Sequence, residues 1–140
     1  TATMLEWIVP TVCVICGIIA LGFFGWRNTK RQIARTLKRR ANPSREAFLQ
    51  AMASEVSKGV SEFLWEVAVR ELRYYETGLT PHPDDDLARD LPIDEDEWSL
   101  DWPREWAERR GFHENNYPDW PKDRPATLRN LGKWLDMAPV

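Results

Sequence analysis

An all-α chain, with one N-terminal transmembrane helix and a small helical soluble domain, is what the sequence predicts. Three observations predict it. Residues 7–26, WIVPTVCVICGIIALGFFGW, hold no charge. Beyond residue 44, apolar residues recur at steps of three and four, the period of a helix face. No segment shows the alternation of a half-buried strand. The resulting division is a short extracytoplasmic N-terminus (1–6), a transmembrane helix (7–26), a basic juxtamembrane helix or linker (27–43) and an all-α cytoplasmic domain (44–140).

About 20 apolar residues rising ~1.5 Å each make a helix of roughly 30 Å, the thickness of a bilayer's hydrocarbon core. Trp7 and Trp26 bracket the run, as interfacial anchors do. Pro10 is expected near the first turn of the span, where a missing N–H costs least. Cys13, Cys16, Gly17 and Ala20 fall at steps of three and four and form a small-residue docking face for another membrane helix. Val12, Ile15, Ile19 and Phe23 are bulky and suit lipid. Both cysteines lie in the span, so the soluble part relies on no disulfide. With no His, Asp, Glu, Lys or Arg in the span, the usual proton relays and axial ligands are missing. The preceding segment TATMLE has no positive n-region, so the span is expected to be retained as an anchor.

The net charge of −3 conceals a separation. Arg27, Lys30, Arg31, Arg35, Lys38, Arg39, Arg40 and Arg45 form a tract without acids, whereas residues 84–108 carry eleven acids against two arginines. By the positive-inside rule, the N-terminus lies outside and residues 27–140 in the cytoplasm of an inner-membrane protein. Residues 27–41 read as a continuing helix with Ile33 and Leu37 on one side. Its cations Arg27, Lys30, Arg31, Arg35, Lys38, Arg39 and Arg40 suit anionic lipid headgroups, at about 1 kcal/mol each near the surface, and topology determination. Interleaved aromatic residues are missing, which disfavours nucleic acid.

Asn42-Pro43-Ser44 is a break and restart, with Ser44 as N-cap. Phe48, Met52, Val56, Val60, Phe63 and Val67 then predict one amphipathic helix to about Tyr75, ended by Gly78 and divided or kinked, if anywhere, at Gly59. Residues 79–97 read as a Pro-punctuated loop whose leucines pin it down while its acids stay in water. Trp98, Trp102 and Trp106 fall on one side of a helix beginning near Ser99 or Asp101, with Pro103 in its first turn, and ending at Gly111. Thr127 caps a last helix with Leu128, Leu131, Trp134 and Leu135 inward.

Catalytic chemistry finds little footing. His82 and His113 have no metal-ligand spacing. The acidic loop lacks the glycine and terminal glutamate of a calcium loop. No P-loop, G-x-G-x-x-G, G-x-S-x-G or H-E-x-x-H occurs. No enzyme activity, cofactor, metal or small-molecule substrate is expected. Eight tryptophans are many for 140 residues, and exposed Trp beside Pro loops is the composition of contact surfaces. Trp98, Trp102 and Trp120 are the partner-binding candidates, with Trp120 in Y-P-D-W-P foremost. Trp98, Trp102, Trp106 and Trp134 serve equally well as core.

Across residues 55–136, Thr80-Pro81, Asp86-Leu87, Asp90-Leu91-Pro92-Ile93-Asp94, Gly111-Phe112 and the segment from Thr127 to Leu135 follow an order that resembles acyl carrier proteins, and most of all divergent bacterial acyl-carrier-like proteins of unknown function. The resemblance implies a four-helix fold. Carrier proteins attach phosphopantetheine to the serine of D-S-L, but Glu95 follows Asp94 here. The nearest S-L-D is Ser99-Leu100-Asp101, preceded by Trp98 and followed by Pro103. The resemblance thus implies a carrier-like fold that has lost its prosthetic group, with Ser99 as the residual candidate site. The expected role is a non-catalytic accessory or scaffold subunit of a membrane protein complex. A membrane-tethered carrier and an immunity-type regulator are the alternatives.

Overall fold

In a computed structural model the chain is described for residues 2–138, and it is all-α. Five α-helices follow in order among the described residues: α1 (Ala2–Arg39), α2 (Arg45–Met52), α3 (Lys58–Leu72), α4 (Trp102–Arg110) and α5 (Leu128–Leu135). Single 3₁₀ turns occupy Arg73–Tyr75 and Glu114–Asn116, and a π turn occupies Glu97–Asp101. The described residues contain no strand; the one β-type bridge joins Asp86 to Thr127. The chain divides into two compact units between Arg31 and Gln32.

The first unit is helix alone. Residues 3–28 are exposed throughout, and the mean hydropathy of the most apolar window is 2.4. This helix, near the N-terminus, is long and apolar enough to cross a membrane. Its hydroxyls are satisfied internally: Thr11 donates to the Trp7 carbonyl (2.7 Å) and Thr29 to that of Gly25 (3.0 Å). The helix begins at Ala2 rather than near Trp7, which puts Pro10 in its interior instead of its first turn. Proline has no N–H there for the Glu6 carbonyl.

The second unit begins at Gln32, well before the boundary at 44 that the sequence suggested. Its core joins Ile33 at the end of α1 with Phe48 and Met52 of α2, Phe63, Leu64 and Val67 of α3, Trp102 of α4 and Leu128, Leu131 and Leu135 of α5. Leu79, Leu87, Leu91 and Ile93 plug the long loop into that core, as their spacing predicts.

The long helix expected over 44–75 is two helices. Ser44 caps α2 by accepting the Ala47 N–H (3.2 Å). The break falls at residues 53–57, ahead of Gly59. Ser57 adopts an extended backbone, and its hydroxyl caps α3 through the Val60 N–H (3.4 Å). Asp136, at the end of α5, fixes the break by accepting from the Ser57 N–H (2.7 Å) and Oγ (2.6 Å). Val56 stays buried inside the turn, so the apolar stripe runs on through it and hides the interruption. After the 3₁₀ turn, Glu76 takes the left-handed conformation (φ 54°), so the chain turns two residues before Gly78.

Pro103 reshapes the tryptophan helix. Helical backbone starts at Glu95, and the Trp102 N–H reaches back five residues to the Glu97 carbonyl. Proline offers no N–H to the Ser99 carbonyl and its ring crowds that group, so the turn before it widens. Gly111 (φ 77°) closes α4, and Thr127 caps α5 by accepting the Asn130 N–H (3.1 Å).

Two glycines separate packing from propensity. A Cβ on Gly132 would lie 2.9 Å from Val56 Cγ1 and 3.2 Å from Met52 Cε, whereas one on Gly59 would meet only Trp106, at 3.5 Å. Val56 is branched at Cβ and buried, so it cannot swing aside. Overpacking of this kind costs about 1–3 kcal/mol, more than the roughly 1 kcal/mol of helix propensity that alanine adds. Gly132→Ala is therefore expected to lower the melting temperature of the full chain in detergent, and Gly59→Ala to leave it unchanged or raise it.

Candidate functional site

The acidic loop is the socket for the end of α1. Arg40 is 9% exposed and Asp85 1%. The Arg40 guanidinium forks onto the Asp85 carboxylate, with Nε to Oδ1 and Nη2 to Oδ2 both 2.7 Å. Two of its three other N–H groups reach the carbonyls of Thr80 (2.8 Å) and Ala41 (2.9 Å). Asp85 Oδ2 also accepts the His82 N–H (2.9 Å). Such extensive hydrogen bonding is what a desolvated ion pair needs to be tolerated. Around it, Gln32 donates to the carbonyls of Arg89 (2.8 Å) and Leu91 (3.2 Å), and Thr36 to that of Asp90 (2.7 Å). Arg39 pairs with Asp90 at 2.9 Å. Asn42 accepts the Thr80 N–H and donates to the Gly78 carbonyl.

This corrects two expectations. Arg39 and Arg40, grouped with the headgroup-facing cations, are engaged by carboxylates of the domain. Asp85, grouped with acids left in water, is buried. The outward cations are Arg27, Arg31, Arg35 and Lys38, all exposed; Lys30 lies over the Trp26 ring, 4.7 Å from its centroid. Ile33 is buried and Leu37 packs against the core, so the apolar side of the basic tract faces the domain.

In the apolar part of α1, Trp7 and Trp26 are exposed. Cys13 and Cys16 are free thiols on the helix surface beside exposed Gly17 and Ala20. A Cβ on Gly17 would meet nothing within 4 Å.

The tryptophan candidates separate. Trp102 is fully buried and belongs to the core, which removes it as a contact residue. It shares the core cluster with Phe63 and Leu64 and directly follows the widened turn. Trp98 is half-buried, its indole N–H enclosed without a partner. Trp120 is also half-buried. It packs on Trp134 (5.7 Å between rings) and donates to the Arg124 carbonyl (3.3 Å). Trp134 stacks on Tyr117 at 4.6 Å and donates to the Pro118 carbonyl (2.8 Å). This aromatic pile holds the Pro-rich loop to α5 and leaves its rings partly exposed. Ser99 sits half-buried inside the π turn, with helical residues on both sides.

The charged groups serve architecture. Arg129 links α5 to the loop through Asp84 (2.9 Å), to α2 through the Ala51 carbonyl (3.0 Å) and to the turn after α2 through Glu55 (3.0 Å). Lys133 and Arg129 hold the Glu55 carboxyl below its usual range, and Arg129 does so for Asp84. His82 and His113 each accept a backbone N–H through Nδ1, from Asp84 and Asn115. No group of three metal-ligating side chains converges among the described residues. One carboxyl moves the other way. Burial, followed by a hydrogen bond with Glu71, pushes Glu97 from its ordinary 4.5 up to about 7. The sequence offered no signal for this pair, which joins α3 to the π turn.

Removing the Asp85 carboxylate strands a buried guanidinium, which costs about 3–5 kcal/mol. Asp85→Ala is expected to lose that much in denaturant unfolding, whereas Asp96→Ala, at an exposed acid, is expected to lose almost nothing. For Glu97, the folded state keeps a proton that the unfolded chain releases between pH 4.5 and 7. Its contribution is whole below that window and fades as pH rises through it. The melting temperature of Glu97→Gln, relative to wild type, should therefore increase from pH 4.5 to 7.5; a constant difference would exclude the raised carboxyl.

No family model, curated protein or solved structure matches the chain.

Proposed function

We propose that the chain is a single-pass, N-out protein of the inner membrane, acting as a non-catalytic accessory or scaffold subunit of a larger membrane complex. The observation that carries this reading is the outer half of α1. Every side chain over residues 3–28 is exposed, and a stripe of Cys13, Cys16, Gly17 and Ala20 runs down one side. An apolar helix without neighbours is stable only in lipid, and small residues there let a second helix approach closely.

Charge supplies the orientation. Arg27, Arg31, Arg35 and Lys38 follow the apolar run directly, as the positive-inside rule requires of a cytoplasmic flank, and they would meet anionic headgroups. The domain's carboxylates are mostly spent on arginines of the same chain, and its histidines cap turns. That leaves a folded contact surface on which the half-buried Trp98 and Trp120 are aromatic points of attachment.

Gentle detergent extraction from the native host tests the reading. The chain is expected to migrate with one large assembly in native gels. Gly17→Leu with Ala20→Leu should release it without altering its own melting temperature. Migration of the wild-type chain by itself, under conditions that keep other membrane complexes whole, would overturn the proposal.

A further inference from the structure

A groove of about 530 Å³ runs along α3 beside the start of α2. Glu62, Trp65, Val69 and Arg73 line it at steps of three and four, one face of the helix and of the turn that continues it. Trp65 is half-buried and backed by Phe48, with 5.4 Å between the rings. That contact holds the indole in place while part of it stays open to water. Val69, one turn on, is half-buried as well. A fixed tryptophan flanked by arginines is the composition of a binding hot spot.

Two cations mark the ends of the groove. Arg45 lies 3.9 Å from Glu62, a long pair with both side chains exposed. It occupies the first turn of α2, where the helix dipole opposes a positive charge. Arg73 is exposed and forms no ion pair among the described residues. Glu62 and Arg73 are about 16 Å apart along a helix, roughly three turns. The other charges are spent: Arg70 on Glu105 (3.0 Å) and Glu66 on Arg109 (2.9 Å). Glu62 and Glu66 in the middle would repel a dense polyanion such as nucleic acid. The open floor would leave a small molecule wet, whereas such ligands are ordinarily buried over about 70–90% of their surface. We propose that the groove receives an acidic amphipathic helix of a partner protein, its carboxylates on Arg45 and Arg73 and its apolar side chains between them on Trp65 and Val69. Neither α1 nor Trp98 or Trp120 lines the groove, so this stands whether or not the chain docks in a larger complex.

The probe is an alanine-based helical peptide with one Glu near each end, about three turns apart, and two Leu between them on the same face. It is titrated into the full chain in phosphatidylcholine nanodiscs and followed by amide NMR. Saturable shifts are expected at Arg45, Trp65, Val69 and Arg73, with weaker binding at higher salt. Arg73→Gln should weaken binding about fivefold, the upper worth of an exposed ion pair. Val69→Glu puts a charge in the floor and should abolish saturation, while unchanged amide shifts in α5 verify that both variants stay folded. Equal binding of the peptide with Gln in place of Glu, no saturable shift at these amides, or equal affinity in Arg73→Gln would overturn the proposal. So would shifts at the same amides without peptide, either on raising the protein concentration or in phosphatidylglycerol discs, which would assign the groove to a second copy or to lipid.

Discussion

The fork of Arg40 onto Asp85 is the constraint from which the domain's layout follows. A guanidinium and a carboxylate, both withdrawn from water, are tolerable only when hydrogen bonds engage them extensively. Engaging them brings Thr80, Ala41 and the His82 amide to one place. That requires the acidic loop to wrap the end of α1. It also requires residues 32–40 to be core elements, with Ile33 buried and Thr36 bonded to the loop backbone. The loop backbone in turn receives the start of α5, through Leu87 N–H to the Ala126 carbonyl and Arg129 N–H to that of Pro83. A segment of low helical and strand propensity is thus ordered by the polar groups it surrounds.

Local physics accounts for the elements the sequence displays openly. The uncharged run over 7–26, the Ser44 and Thr127 caps, Gly111 after α4 and the inward leucines of α5 are each determined by a few neighbouring residues. The misjudged features depend on residues far apart. The break at 53–57 is held by Asp136, seventy-nine positions from Ser57, and the apolar stripe through Val56 gives no hint of it. The ion pair joins residues forty-five apart, inside charge runs that each look solvated when read alone. Composition cannot tell a carboxylate in water from one held by an arginine, because both are simply Asp.

The candidate site was legible to the same degree. The small-residue stripe and the exposed cations are properties of one helix face and could be read from spacing. The fate of the tryptophans could not. Trp98, Trp102 and Trp106 share a face on an ideal helix, but the π turn before Pro103 takes more residues per turn and rotates Trp98 away from that register. Trp102 enters the core, and Trp98 is left at its margin.

The pairing of Arg40 with Asp85 also bears on the order of biosynthesis. A ribosome delivers α1 before the carboxylate that receives its last turn, and the Asp136 clasp for α3 follows later still. Folding therefore waits on translation: Ile33, Thr36 and Arg40 leave the exit tunnel well before their lodging exists. Contacts of such separation slow the search for the native arrangement. The nascent chain must meanwhile keep a half-made apolar surface from sticking elsewhere.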